Sequence, residues 1–181
     1  MKSYKQVRSL TGGGMALLVL IIGLWLRPLT FRSIDETAMF AAAANTLREG
    51  RPHINDMAFQ MWTPRPGESI AALGNDYNIY TKKSPLVIFI LLPLLSLLKV
   101  FPGLTPSALA LMLGPLITAV TVWFLADFIH DLGYSDKTTA LATALFAFCT
   151  MALPYMQTIF GEVVGMLGVV LLLRGAWRLF A

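Results

Sequence analysis

Two carboxylates and two lysines are the residues of this chain whose types and positions could support acid–base chemistry. Asp35 and Glu36 follow the first long apolar run, and Lys82 and Lys83 precede the next one, with a long polar segment between the two pairs. A carboxylate can take a proton from a nucleophile, and an ammonium group can bind a phosphate and stabilise its charge. These residues are the first candidates for a site that handles a phosphate-bearing lipid at a membrane surface.

The composition places the chain among integral membrane proteins. Hydrophobic residues make up 56% of the 181 residues and charged residues only 13%, and the mean hydropathy is +0.68, far from the balance of soluble domains. The net charge of +4 is modest, and no run of Lys and Arg resembles a nucleic-acid patch. We therefore expect membrane lipid as a partner and no nucleic acid.

Cysteine and histidine usage argues against a disulfide framework and against a metal centre. Cys149 is the single cysteine and lies in an apolar run. His53 and His130 are isolated in the sequence, with no third ligand at metal-site spacing. We predict no metal ligands and no firm cofactor, and we expect His130 to be solvated on a turn beside Asp131.

The N-terminal segment is predicted to be a retained transmembrane helix over 12–31. This stretch is long enough to cross about 30 Å of hydrocarbon, and no small-x-small cleavage pattern follows it. Lys2, Lys5 and Arg8 precede it, which places the N-terminus on the cytoplasmic side. We expect the membrane to be a bacterial-type inner or cell membrane.

Hydropathy predicts further transmembrane helices over 106–130, 138–160 and 162–179, with Pro154 and Glu162 favouring a turn near 155–161. Arg174 and Arg178 place the end of the last helix inside, so the number of crossings should be even. The apolar segment 85–98 is short and contains Pro93, which favours an interfacial or re-entrant helix. The alternative is a short crossing helix, with the C-terminus outside.

The fold class predicted is all-α: a polytopic membrane protein with about four transmembrane helices and one or two extracytoplasmic juxtamembrane helices. The extracytoplasmic loop would cover 32–104 and contain helices over 34–49 and 85–98. On this topology Asp35, Lys83 and Glu162 share one membrane face.

Local signals define the helix over 34–49. Ser33 is a candidate N-cap with Glu36 completing a capping box, and Gly50 ends the helix. Its apolar stripe predicts that it lies along the membrane surface; the stripe comprises Met39, Phe40, Ala43 and Leu47. The segment 51–74 is predicted to be loop, with Trp62 as an interfacial anchor or part of a substrate pocket.

Three stretches resemble motifs of the GT-C type membrane glycosyltransferases, in the style of the dolichyl-phosphate-mannose protein mannosyltransferases and the bacterial aminoarabinose transferases. Asp35-Glu-Thr-Ala-Met-Phe40-Ala resembles their "DE-x-x-(Y/F)-A" opening, and Tyr80-Thr-Lys-Lys83-Ser-Pro85-Leu86 resembles their "K-P-P-L" step. Leu153-Pro154-Tyr155 … Phe160-Gly-Glu162 resembles their second acidic site. The chain departs from these patterns at Ser84, which replaces the first proline, and at Glu162, where many relatives have aspartate.

The resemblance, which covers 1–181, implies inverting transfer of a sugar from a polyprenyl-phosphate donor to an acceptor protein or glycolipid. It implies catalytic carboxylates at Asp35, as general base, and Glu36. The residues that it assigns to binding of the phosphate, the sugar or the acceptor are Lys83, Lys82, Tyr77, Tyr80 and Glu162.

Plainer interpretations stay open for every one of these residues. Carboxylates in a first helical turn suit the helix dipole, lysines anchor to headgroups, and tyrosines occupy the membrane interface. Relatives of this type continue through further helices, so we expect the chain to be the N-terminal part of a longer enzyme. The alternative function is a non-catalytic structural subunit, or a truncated relative, in a larger membrane complex.

Overall fold

A computed structural model describes the backbone of residues 2–57 and 71–180 and the side chains of residues 10–57 and 71–180. Helices account for most of this part of the chain, in agreement with the all-α prediction. The elements are α1 (Lys2–Leu26), α2 (Ile34–Glu49), β1 (Ala71–Leu73), β2 (Ile79–Thr81), α3 (Pro85–Ser96), α4 (Pro106–Ala110), α5 (Leu113–Asp131), α6 (Asp136–Cys149), α7 (Ala152–Tyr155) and α8 (Gly161–Phe180), with short 3₁₀ turns at Asn55–Met57 and Leu97–Lys99.

The chain divides into two compact units. Met1–Arg27 and Met112–Ala181 form one, called here the bundle unit, and Pro28–Leu111 form the other, called the insert unit. The bundle unit holds α1 and α5 to α8, whereas the insert unit holds α2 to α4 and the two strands.

In the bundle unit, α1 packs antiparallel to α5. A methyl group at Gly12 would lie 3.2 Å from the Trp123 ring, near the end of α5. One at Gly23 would lie 3.0 Å from Pro115, near the start of α5. Small residues on α1 therefore let the two backbones approach closely, as is common between helices in membranes.

Ion pairs fix the direction of α8 relative to α5. Arg174 Nη2 lies 2.8 Å from Asp127 Oδ2, and Arg178 Nη2 lies 3.1 Å from Asp131 Oδ2. The Arg174 guanidinium also lies 5.5 Å from the centre of the Phe124 ring. Because all these residues are near the C-terminal ends of their helices, α5 and α8 run parallel.

The transmembrane spans predicted from hydropathy agree only in part with the helices that the structure contains. In the part of the chain that the structure describes, two helical stretches are long and apolar enough to cross a membrane: Pro106–Asp131, which comprises α4 and α5, and Gly161–Phe180, which is α8. The region predicted as one helix over 138–160 is instead α6, which ends at Cys149, followed by the four-residue α7. The Thr150 hydroxyl donates to the Phe146 carbonyl and accepts from the Ala152 N–H, and the Thr150 backbone is extended, which ends α6.

In the insert unit, α2 has the bounds that the sequence predicts. The Ser33 hydroxyl accepts from the Glu36 N–H, the Glu36 carboxylate accepts from the Ser33 N–H, and Gly50 ends the helix in the left-handed conformation. Its buried apolar residues are Ala38, Met39, Ala42 and Ala43.

The predicted apolar stripe of α2 is only partly correct. The buried face packs against α3, whose own buried residues include Val87 and Leu91. Leu47 is 42% exposed and Phe40 packs against the Phe31 ring instead. The core of the insert unit is therefore a contact between two helices.

The strands β1 and β2 form an antiparallel hairpin in which Ala72 pairs with Tyr80. The prediction of loop over 51–74 is therefore wrong for 71–73. It also missed the 3₁₀ turn at Asn55–Met57. Residues 58–70, which include Trp62, lie outside the described residues.

Gly114 gives a direct test of packing in the bundle unit. A methyl group there would lie 2.6 Å from the Thr158 carbonyl oxygen and would also collide with the Met156 carbonyl. Since backbone atoms cannot rotate away, Gly114→Ala should lower the free energy of unfolding by about 1–3 kcal/mol. The measurement is the thermal unfolding midpoint, followed by tryptophan fluorescence in one detergent.

The matched control is Gly165→Ala in α8, where an added methyl group meets nothing within 4 Å. This change should leave stability unchanged or raise it by up to about 1 kcal/mol, since alanine favours helix. Equal midpoints for the two variants would contradict the packing described.

Candidate functional site

Asp35 and Lys83 form the centre of the candidate site. Lys83 Nζ lies 2.7 Å from Asp35 Oδ2, and the two side chains are 38% and 25% exposed. Asp35 Oδ1 is buried and accepts no hydrogen bond from any described residue. The structure thus brings together the two residues to which the resemblance assigns the base and the phosphate contact, although they are far apart in sequence.

The start of α3 lies directly beside Lys83. Pro85 is in the first turn, and the preceding Ser84 makes no capping hydrogen bond with its side chain. The first N–H groups of a helix point outward and carry the positive end of its dipole, so an uncapped helix start attracts anions. Lys82 is exposed at the same place.

Glu36 has a structural role in this geometry. Its side chain is 1% exposed and its Oε2 atom accepts from the backbone N–H groups of Arg32, at 2.8 Å, and Ser33, at 3.1 Å. A carboxylate committed to two backbone donors is a helix cap. Of the adjacent pair, Asp35 is the one with a buried oxygen that accepts no hydrogen bond from a described residue.

The predicted tyrosines belong to the hairpin. Tyr77 is 87% exposed and adopts φ 61°, an uncommon left-handed conformation for a tyrosine. The Tyr80 hydroxyl donates to Asp76 Oδ2 at 2.7 Å. This bond raises the pKa of Tyr80, and together with the Asn78 amide it lowers the pKa of Asp76 to about 2.

Glu162 lies in the other unit, the bundle unit. It is exposed in the first turn of α8, where a carboxylate suits the helix dipole. Its assignment to the acceptor or the sugar stays a prediction.

A polar cluster at the end of α2, which includes the buried Asn45 and His53, was missed by sequence reasoning. His53 Nε2 lies 2.7 Å from Glu49 Oε2, and the Asn45 amide donates to the His53 carbonyl oxygen at 2.8 Å. Hydrogen bonds from Arg48 and then from His53 lower the pKa of Glu49. Glu49 and His53 are four residues apart, the spacing at which two side chains meet on a helix. The contact was not expected because α2 was predicted to end at Glu49.

The prediction that His130 is solvated is wrong. The side chain is 2% exposed in the bundle unit, with Nε2 3.4 Å from Asp136 Oδ1 and Nδ1 3.4 Å from the Thr139 hydroxyl. The short turn between α5 and α6 folds these residues over the ring.

Comparisons with protein-family models, with curated proteins and with solved structures found no match to this chain.

The hairpin pair supplies a test of the local electrostatics. Asp76→Asn should lower the pKa of Tyr80 towards its ordinary value of about 10, because the charged acceptor of the hydroxyl is lost. The measurement is a pH titration of tyrosinate absorbance, with Asp56→Asn as the control because the Asp56 carboxylate accepts its hydrogen bond from Arg48.

The same pair sets a pH dependence at the acidic end. A depressed carboxyl pKa stabilises the folded state above the unfolded value of about 3.9 and loses that effect as pH falls through about 2. The hairpin should loosen between these values in wild type but not in Asp76→Asn. A Tyr80 titration that is identical in both proteins would contradict the hydrogen bond.

Proposed function

We propose that this chain is a module of a membrane glycosyltransferase that transfers a sugar from a polyprenyl-phosphate-linked donor to an acceptor on the extracytoplasmic face. The observation that carries the proposal is the Asp35–Lys83 ion pair, in which one carboxylate oxygen is buried without a described partner. It is the arrangement expected of a base held beside a phosphate-binding cation.

In this reaction the acceptor hydroxyl gives its proton to Asp35 while its oxygen forms a bond to the anomeric carbon of the sugar. The bond between that carbon and the phosphate oxygen breaks, and the lipid phosphate leaves with the electron pair. Lys83 binds the leaving phosphate and stabilises its added negative charge. No metal or redox partner is needed for the atoms and charges to balance.

Two features support the phosphate assignment. Lys83 has three N–H donors, and Asp35 Oδ2 can occupy only one or two of them. The uncapped start of α3 adds backbone donors next to it, and the neighbouring Leu86 is 52% exposed. The remaining assignments, Lys82 to the phosphate and Tyr77, Tyr80 and Glu162 to sugar or acceptor, follow from the family resemblance alone.

The directions of the helices in the bundle unit are those expected from the proposed topology. Because α1 is antiparallel to α5 and α5 is parallel to α8, the end of α1 and the starts of α5 and α8 lie at one end of this unit. Within the bundle unit, residues 27 and 112 therefore lie at the end that carries Glu162. With its 12 residues, α3 is about 18 Å long, shorter than the roughly 30 Å of hydrocarbon, which favours a shallow position.

The reaction predicts distinct effects for the two site residues. Asp35→Asn keeps the size of the side chain and removes the base, so turnover should fall by about 10²–10⁴-fold with lipid binding retained. Lys83→Ala removes a charge-assisted contact worth about 1.5–3 kcal/mol, so it should mainly weaken binding of the donor. The measurement is sugar release from a polyprenyl-phosphate donor by the full-length protein in nanodiscs.

Two controls separate chemistry from folding. Glu36→Gln perturbs the cap of α2 and should cost about 1 kcal/mol of stability or less, with transfer retained. Lys82→Gln removes the neighbouring charge and should have the smaller effect on donor binding. Near-normal transfer by Asp35→Asn would reject the catalytic assignment and leave Asp35 as a carboxylate that suits a helix start.

The topology has its own test. In a Cys149→Ser background, Asn75→Cys should react with an impermeant thiol reagent added outside, and Ser135→Cys should not. Both positions are exposed, so accessibility to the reagent depends on the side of the membrane. Labelling at Ser135→Cys with protection of Asn75→Cys would invert the orientation.

A further inference from the structure

The C-terminal end of α2 borders a polar cavity that the proposed reaction does not use. Its volume is about 600 Å³, within the range of about 300–1,000 Å³ typical of small-molecule sites. Asp35 and Glu49 lie at opposite ends of α2, roughly 21 Å apart at 1.5 Å per residue. The residues that line the cavity are Glu49, Arg51, His53, Asn55, Asp56 and Asn78.

Hydrogen bonds hold one wall of this cavity in place. Arg48 Nε donates to Glu49 Oε1 at 2.7 Å, while Glu49 Oε2 is 2.7 Å from His53 Nε2. The Asn45 amide is fixed by donating to the His53 carbonyl and accepting from Arg48, so its N–H faces His53 Nδ1 at 3.5 Å. These bonds fix the side chains of Glu49, His53 and Asn45 relative to one another.

The opposite wall is also fixed. The Asn55 amide donates to Asn78 Oδ1 at 2.7 Å, and Asn55 Oδ1 accepts from the Ile79 N–H at 2.8 Å. These bonds tie the segment after α2 to strand β2. The cavity is therefore formed before any ligand arrives, which lowers the entropic cost of binding.

Two lining residues keep unused hydrogen-bonding capacity. Asp56 Oδ2 accepts from Arg48 at 3.1 Å, which leaves Oδ1 as an acceptor. The exposed Arg51 guanidinium makes no hydrogen bond or ion pair within residues 10–57 and 71–180, and it carries five N–H donors. A ligand in the cavity thus meets both an acceptor and a set of donors.

The charges select the kind of ligand. Glu49 and Asp56 both pair with Arg48, and Arg51 balances the second carboxylate, so the charge around the cavity favours neither an anion nor a cation. A hydroxyl group satisfies both sides, because it donates to a carboxylate and accepts from a guanidinium or an amide. We propose that this cavity binds a neutral hydroxyl-rich ligand, namely a monosaccharide or one sugar residue of a glycan, held between Asp56 and Arg51.

This site does not depend on the transfer reaction, so its test requires no turnover. The probes are three methyl glycosides, of mannose, glucose and galactose, each titrated against the protein in nanodiscs by saturation-transfer NMR. Because the cavity is open and wet, we expect a Kd of about 1 mM for at least one of them. Arg51→Gln and Asp56→Asn should each raise that Kd about tenfold or more.

The matched control is Lys99→Gln, an exposed cation in the same unit that does not line the cavity; it should leave the Kd unchanged. Unchanged unfolding midpoints are expected for all three variants, since the altered side chains are exposed. Absence of saturation transfer to every glycoside would overturn the proposal, as would a signal that survives both cavity substitutions. Inorganic phosphate binding that requires Arg51 but not Asp56 would also overturn it, because the cavity would then be an anion site.

Discussion

Lys83 lies two residues before α3, where the positive end of the helix dipole disfavours another positive charge. The carboxylate of Asp35, 2.7 Å from Lys83 Nζ, offsets that repulsion from the first turn of α2, where a carboxylate is itself favoured. One ion pair therefore joins the starts of two helices. Since both side chains are partly exposed, the contact adds only about 0–1 kcal/mol to stability, and its main effect is positional. A phosphate bound at the start of α3 would take over as the partner of Lys83 and leave Asp35 free to accept a proton.

The sequence predicts best those structural features that neighbouring residues determine, such as the ends of helices. The bounds of α2 follow from Ser33, Glu36 and Gly50, because caps and turns depend on groups within a few positions. The pairing of Asp35 with Lys83 lies beyond such rules. It depends on α2 and α3 packing side by side through Ala38, Met39, Val87 and Leu91, and no local pattern fixes that register. Sequence reasoning grouped the two residues on one membrane face, but the direct contact is visible only in the fold.

The features that were not predicted have one property in common: each depends on too few residues to produce a recognisable sequence pattern. Each strand of the hairpin has three residues, too few for an alternating pattern, although Gly74, Asn75 and Asp76 between them are typical turn residues. The end of α6 at Cys149 depends on hydrogen bonds of one threonine hydroxyl inside an otherwise apolar run. His53 and His130 are alone in sequence, yet both are buried among polar groups supplied by neighbouring turns.

Comparison of the two partly buried ion-pair groups shows why only one is a candidate for chemistry. In the bundle unit, Arg174 is 13% exposed and bonds to both Asp127 and Asp131, while Arg178 adds a second donor to Asp131. Each arginine there is matched by a carboxylate, so the group lowers the cost of placing charges in apolar helices and joins α5 to α8. In the insert unit, Asp35 is buried to a similar degree as Asp127 and Asp131 but keeps one buried oxygen without a described partner. An unsatisfied buried acceptor costs stability. A donor at this oxygen would offset that cost, and the hydroxyl group of the acceptor is the donor that the proposed reaction supplies.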